Sequence, residues 1–135
     1  MNATPTPILG LAHIGIRVHS LERSLRFYEL LGFTKTAGPL GPEPVAILGH
    51  SSGVELNLVL NATNAIEQNV LMDLPEKHPG ITHFALLCPD IAAAARRLES
   101  AGVPLSGEPV RLGPGRQAIF VRDPDRNVIE LHQRD

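Results

Sequence analysis

The sequence contains one cysteine, Cys88, so no internal disulfide can staple the chain. Cys88 lies in the apolar run HFALLC, where a buried, inert thiol is the expected state. No stretch reaches the roughly 20 consecutive apolar residues of a membrane-spanning helix, and the opening MNATPTP has neither the basic nor the apolar region of a secretory signal. A cytoplasmic protein without a membrane span is expected. Charge of one sign is lacking too: 12 Lys and Arg stand against 14 Asp and Glu, which gives no electrostatic reason for a nucleic acid partner.

What is present is ordinary for one soluble globular domain, with 135 residues, 43% of them apolar and 19% charged. The chain is also written twice. LAHIGIRV has the length and β-branched content of a strand, and Ser20 then offers an N-cap for LERSLRFYELLG, whose Leu21, Leu25 and Tyr28 form one apolar stripe before Gly32 stops the helix. The same grammar returns in ITHFALLC, with Asp90 as the N-cap of IAAAARRLES and a stop near Gly102. His13 superposes on His83 and Gly32 on Gly102, both at a spacing of 70 (83 − 13 and 102 − 32).

Strand-like segments follow each helix: VAILGH and VELNLVL in the first half, QAIFVRD and NVIELHQ in the second, separated by His-Ser-Ser-Gly and Asp-Pro-Asp-Arg turns. GPLGPEP and GEPVRLGPG are expected to be loops bordering the site. Each half therefore reads as βαβββ, with module 1 over about 8–60, a connector over about 61–80 of weak periodicity, and module 2 over about 81–133.

Glu55 lies inside VELNL and Glu130 inside VIELH, so the last strand of each half carries a carboxylate between apolar neighbours. Strand alternation places Arg17 on the face of His13, Asn57 on that of Glu55 and His132 on that of Glu130. Two carboxylates near two imidazoles are best explained by a shared cation, because an uncompensated buried carboxylate costs several kcal/mol. Imidazole nitrogen with carboxylate oxygen suits nickel, zinc, cobalt, manganese or iron(II) better than calcium or magnesium. The proposed ligands are His13, Glu55, His83 and Glu130. His19, His50 and His78 have no such pairing and read as surface residues or as supports behind the ligands, whereas His132, two residues after Glu130 on the same face, could line the cavity or hydrogen-bond a ligand.

These segments, from LAHIGIRV through RSLRFYELLGF and GITHFAL to FVRDPDRNVIELHQ, resemble the vicinal oxygen chelate superfamily, which includes glyoxalase I, methylmalonyl-CoA epimerase, fosfomycin-resistance transferases, extradiol dioxygenases and metal-free bleomycin-binding proteins. The resemblance implies an α+β fold of two βαβββ modules forming a U-shaped mixed sheet around one divalent metal ion, and a homodimer. The His, Glu, His, Glu set is similar to that of glyoxalase I (lactoylglutathione lyase), and Arg17 resembles its arginine that meets the glutathione carboxylate. Two further glutathione positions differ, with Val59 where the family has Asn and Pro79 where some members have a basic residue, so the thiol stays open.

The resemblance implies conversion of a 2-oxoaldehyde hemithioacetal to a 2-hydroxyacyl thioester through a metal-stabilised enediolate. Glu130 would be the main base, with Glu55 returning the proton on the opposite face. Arg17, and Arg111 or Arg116 in the loop before the final hairpin, are the candidates to bind an anionic substrate tail. Epimerase, thiol transferase and extradiol dioxygenase chemistry, or metal-free small-molecule binding, are the alternatives.

Overall fold

A computed structural model describes residues 3–65 and 68–135. It is an α+β fold of two βαβββ modules. The first module runs β1 (Ile14–Arg17), α1 (Leu21–Glu29), β2 (Thr34–Leu40), β3 (Val45–Gly49) and β4 (Glu55–Val59). The second runs β5 (His83–Leu87), α2 (Ile91–Ser100), β6 (Val110–Arg111), β7 (Arg116–Arg122) and β8 (Val128–Arg134). Hydrogen bonding divides the strands into two four-stranded mixed sheets of identical topology, β1-β4-β3-β2 and β5-β8-β7-β6, rather than one continuous sheet. In each, the first strand pairs in parallel with the last, and the other pairs are antiparallel.

The helices begin and end as the repeated grammar predicts. The Ser20 hydroxyl accepts from the Arg23 N–H and the Asp90 carboxylate from the Ala93 N–H. Each helix closes with one Schellman pattern: Gly32 N–H to Glu29 O and Phe33 N–H to Tyr28 O, then Gly102 N–H to Glu99 O and Val103 N–H to Leu98 O. The two glycines sit at φ +91° and +86°, a region that costs a side chain steric strain. The stripe on α1 is turned from the one expected: Ser24, Phe27 and Tyr28 are buried, while Leu21 and Leu25 only flank the core.

Two segments expected as loops contain strand. GPLGPEP begins inside β2, which runs on to Leu40, and GEPVRLGPG holds β6. Their Gly and Pro content masked them, since these residues weaken a strand signal and survive at sheet edges, where β2 and β6 both lie.

Register sorts six strands, β1, β3, β4, β5, β7 and β8, into a core face and a site face. Ile14, Ile16, Leu56, Leu58, Leu48 and Ala46 share one face of the first sheet; Phe84, Leu86, Ile129, Leu131, Ile119 and Val121 share one face of the second. These residues join Phe27, Tyr28, Ile91 and Leu98 in a single hydrophobic cluster. Each large side chain buried there stabilises the fold by about 1.5–3 kcal/mol. Cys88 flanks the cluster and is half-buried, less enclosed than expected.

Polar contacts tie α1 to the Asp123–Arg126 turn between β7 and β8. The Tyr28 hydroxyl donates to Asp123 Oδ2 at 2.7 Å, and the Arg23 guanidinium to Pro124 O at 2.9 Å. Burial raises the Asp123 carboxyl above the usual range, opposed by hydrogen bonds from Asn127 and Tyr28; burial likewise pushes the Tyr28 phenol well up. In the connector, Asp73 takes Arg126 (2.7 Å) and Arg122 (3.0 Å), which with the Asn69 N–H hold its carboxyl well below the usual carboxylate range. Of that connector, residues 66 and 67 lie outside the described residues.

Candidate metal and ligand site

In the first half, parallel pairing sets Ile14 beside Leu56, so His13, one residue before β1, falls beside Glu55. Its Nδ1 is 3.9 Å from Glu55 Oε2, and both side chains are close to half exposed. In the second half, His83 leads β5 as Glu130 sits in mid β8, and His83 Nε2 lies 3.0 Å from Glu130 Oε1. The Thr82 hydroxyl meets His83 Nδ1 at 2.9 Å, and the ring packs edge-on to Phe120 with centroids 5.8 Å apart. Glu130 is enclosed, with 8% of its side chain exposed, and its other oxygen lies 2.6 Å from His132 Nδ1. The second half is thus a His83–Glu130–His132 triad, and the first a simpler, more open pair.

The structure brings the predicted residues together two by two. Among the described residues no group of three or more His, Cys, Asp and Glu is placed to hold a metal ion, so neither pair gains a third ligand from them. The donor chemistry of each pair nonetheless fits a divalent cation. Neighbouring ligands on an ion bound at about 2.0–2.2 Å are about 3 Å apart, and the His83–Glu130 separation of 3.0 Å matches this.

The arginines are distributed differently. Arg17 shares the site face but is engaged: its guanidinium donates to Asn61 Oδ1 at 2.8 Å and to Glu43 Oε1 at 3.0 Å. Bonds from Asn61 and Arg17 in turn lower the Glu43 carboxyl below its ordinary value. Arg116 is exposed and alternates with Ala118 and Phe120 onto the face of Glu130. Arg111 pairs with Gln117, which directs it to the opposite face, away from the expected site.

Two contacts, those of His19 and Asp125, escaped the sequence reading. His19, expected at the surface or behind a ligand, bridges the halves: Nδ1 contacts the Asp125 carboxylate and Nε2 the Asn64 backbone carbonyl at 2.8 Å. Asp125 and then Asn64 raise its pKa above the ordinary 6.5. Asp125, its partner, had looked like a turn residue only. Asn57 stands two residues beyond Glu55, as His132 stands two beyond Glu130, and each has one buried atom without a hydrogen-bond partner, Asn57 Oδ1 and His132 Nε2. Their equal offset from the two glutamates was a usable signal. His50 is locked between Ser52 and the Leu31 carbonyl, under Gly32.

A cavity of about 650 Å³ opens along the unpaired edges of β1 and β5, with the connector on one side. His13, Gly15, Arg17 and His83 line it beside Ile81 and Val70; Glu55 and Glu130 do not reach its wall.

The family model described as Glyoxalase/Bleomycin resistance protein/Dioxygenase superfamily matches residues 10–131. No curated protein matches the chain. Among solved structures, a glyoxalase family protein from Bacillus cereus is 20% identical with a TM-score of 0.74, covering 98% of this chain and 99% of that one. An antibiotic binding protein from Streptomyces is 24% identical (TM-score 0.70; 97% and 100% covered), and a fosfomycin resistance protein from Listeria monocytogenes is 17% identical (TM-score 0.70; 96% of each). At these identities the likeness is one of fold.

Proposed function

As the chain belongs to the glyoxalase/bleomycin resistance protein/dioxygenase superfamily, we propose that it is a metal-dependent, glyoxalase I-like lyase or isomerase that turns a 2-oxoaldehyde hemithioacetal into a 2-hydroxyacyl thioester. The observation that carries this reading is the enclosed His83–Glu130 pair, 3.0 Å apart, repeated as His13 and Glu55 in the other half.

His13, Glu55, His83 and Glu130 would hold the cation, which when bound supplies Lewis acidity to two vicinal oxygens of the substrate. Glu130 takes the carbon-bound proton, since it is the more enclosed carboxylate and desolvation strengthens a base. Glu55 delivers a proton to the neighbouring carbon, and its open setting lets that carboxyl exchange with water. Arg116 and Arg17 receive the anionic tail, Arg17 by exchanging its Glu43 partner. Arg111 drops out of this role because of its face.

The quartet is completed by a second copy in this reading: His13 and Glu55 of one protomer meet the partner's His83 and the partner's Glu130. Support comes from the separation of the pairs among the described residues and from the exposed apolar residues Leu11 (80%) and Ile81 (87%), which precede the edge strands β1 and β5.

Elemental analysis of the purified protein should find about one divalent ion per chain, lost in His13→Ala and in Glu130→Ala. A protein with no metal, and no affinity for nickel, zinc, cobalt, manganese or iron(II), sinks the enzyme reading. The second reading, a metal-free small-molecule binder, is favoured by the apolar flank of the cavity, where Leu11, Ile14, Val70 and Ile81 gather. It requires ligand binding unaffected by those two substitutions.

A further inference from the structure

His132 Nδ1 lies 2.6 Å from Glu130 Oε2, and Nε2 of the same ring is buried with no partner. An ionised carboxylate only accepts, so the ring donates to it through Nδ1–H, and in the neutral imidazole that leaves Nε2 as an acceptor. Burying an acceptor unpaired costs about 1–3 kcal/mol, and such a group in a native site calls for a ligand, water or ion to satisfy it. The residue is only 9% exposed and shares the face of His83 and Glu130, flanked across the sheet by Ala118 and Leu87. Nothing among these neighbours offers it a hydrogen. In the other half, Asn57 Oδ1 is a second buried, unpartnered acceptor at the same offset from Glu55, beside Gly15, which leaves open space where a side chain would stand.

We propose that His132 is a further residue of the site, with two roles: Nδ1–H orients Glu130, and Nε2 accepts a hydrogen bond from a hydroxyl-bearing ligand. The inference rests on the proposed function in placing the ligand and, for the orienting role, the cation at Glu130. A ring that offers an acceptor beside the carboxylate favours a hydroxyl over a bare carbonyl at that point, because a carbonyl would set two lone pairs against each other. The chemistry selected is that of a 2-hydroxy compound rather than its 2-oxo counterpart.

Two measurements on the full chain test the two roles. Nitrogen NMR of the His132 ring in the metal-free protein should find the proton on Nδ1 and a bare Nε2; lactate should shift the Nε2 signal, and pyruvate should not. A proton on Nε2, an equal response to both acids, or no response to either overturns the acceptor role. For the orienting role, cobalt(II) alone is titrated. His132→Phe should weaken its binding by about 10–100-fold. His132→Asn, whose amide reproduces the Nδ1–H, should recover most of it, whereas His132→Gln, which reproduces the other nitrogen, should not. A purely structural role for His132 predicts that all three variants bind cobalt alike or follow their thermal stability, and that result refutes orientation. Wild-type protein that binds no cobalt refutes orientation and the metal reading together, while the lactate and pyruvate comparison still decides the acceptor role alone.

Discussion

At the scale of single residues, the same side-chain types do different work according to what each nitrogen or oxygen finds. His83 and His132 grip opposite oxygens of one carboxylate, whereas His19 sits between a carboxylate and a carbonyl and therefore needs hydrogens on both ring nitrogens. The charged form of His19 is the one these partners favour, which is why its pKa lies above 6.5. The sign of the pH effect follows. With the folded value raised, the stabilisation is complete below the unfolded value and is lost as pH rises through the folded one. Urea unfolding of wild type and His19→Gln should differ most at about pH 6 and converge by about pH 9. A gap that widens with pH would mean the contact does not use the imidazolium. None of this was visible in the sequence, where His19 follows a strand without a repeated counterpart and its partners Asn64 and Asp125 lie 45 and 106 residues away.

At the scale of elements, helix ends and strand faces were legible because their causes are local. Ser20 and Asp90 cap by reaching three residues ahead, and Gly32 and Gly102 stop their helices by accepting a positive φ. The rotation of α1 was not local: Tyr28 and Ser24 turn inward because Asp123 and Asp125 await them from the second module. Tyr28→Phe tests that coupling. It leaves the ring in the core but strips a donor from a buried carboxylate, so chemical denaturation should show a loss of about 1–3 kcal/mol. A neutral outcome would show that the three N–H groups of Asn127 and Asp125 satisfy Asp123 unaided.

At the scale of the whole molecule, two modules share one core, yet β1 and β5 each leave one edge without a neighbouring strand among the described residues, and the apolar residues before them face solvent. Ile8 and Leu9 continue that surface at 79% and 104% exposure. Such a patch marks an interaction surface, and the proposed second copy would cover it. Sedimentation should give a dimer for the wild type, and Ile81→Asp with Leu11→Asp should give a folded monomer that loses metal as well. A monomeric wild type with a full complement of metal would place the four ligands in one chain by a rearrangement of the modules instead.

The sequence by itself determined the repeat, the βαβββ order of each half, and the equivalent places of His13 with His83 and Glu55 with Glu130, because capping, turn signals and strand alternation are short-range rules applied twice. Only the tertiary structure decided that the two pairs stand apart, that Arg111 turns away, that Arg17 is already paired, and that His132 closes on Glu130 with a bare nitrogen left over. Those outcomes depend on which surfaces meet across tens of residues of intervening chain, and packing between distant elements leaves no period in the sequence to read.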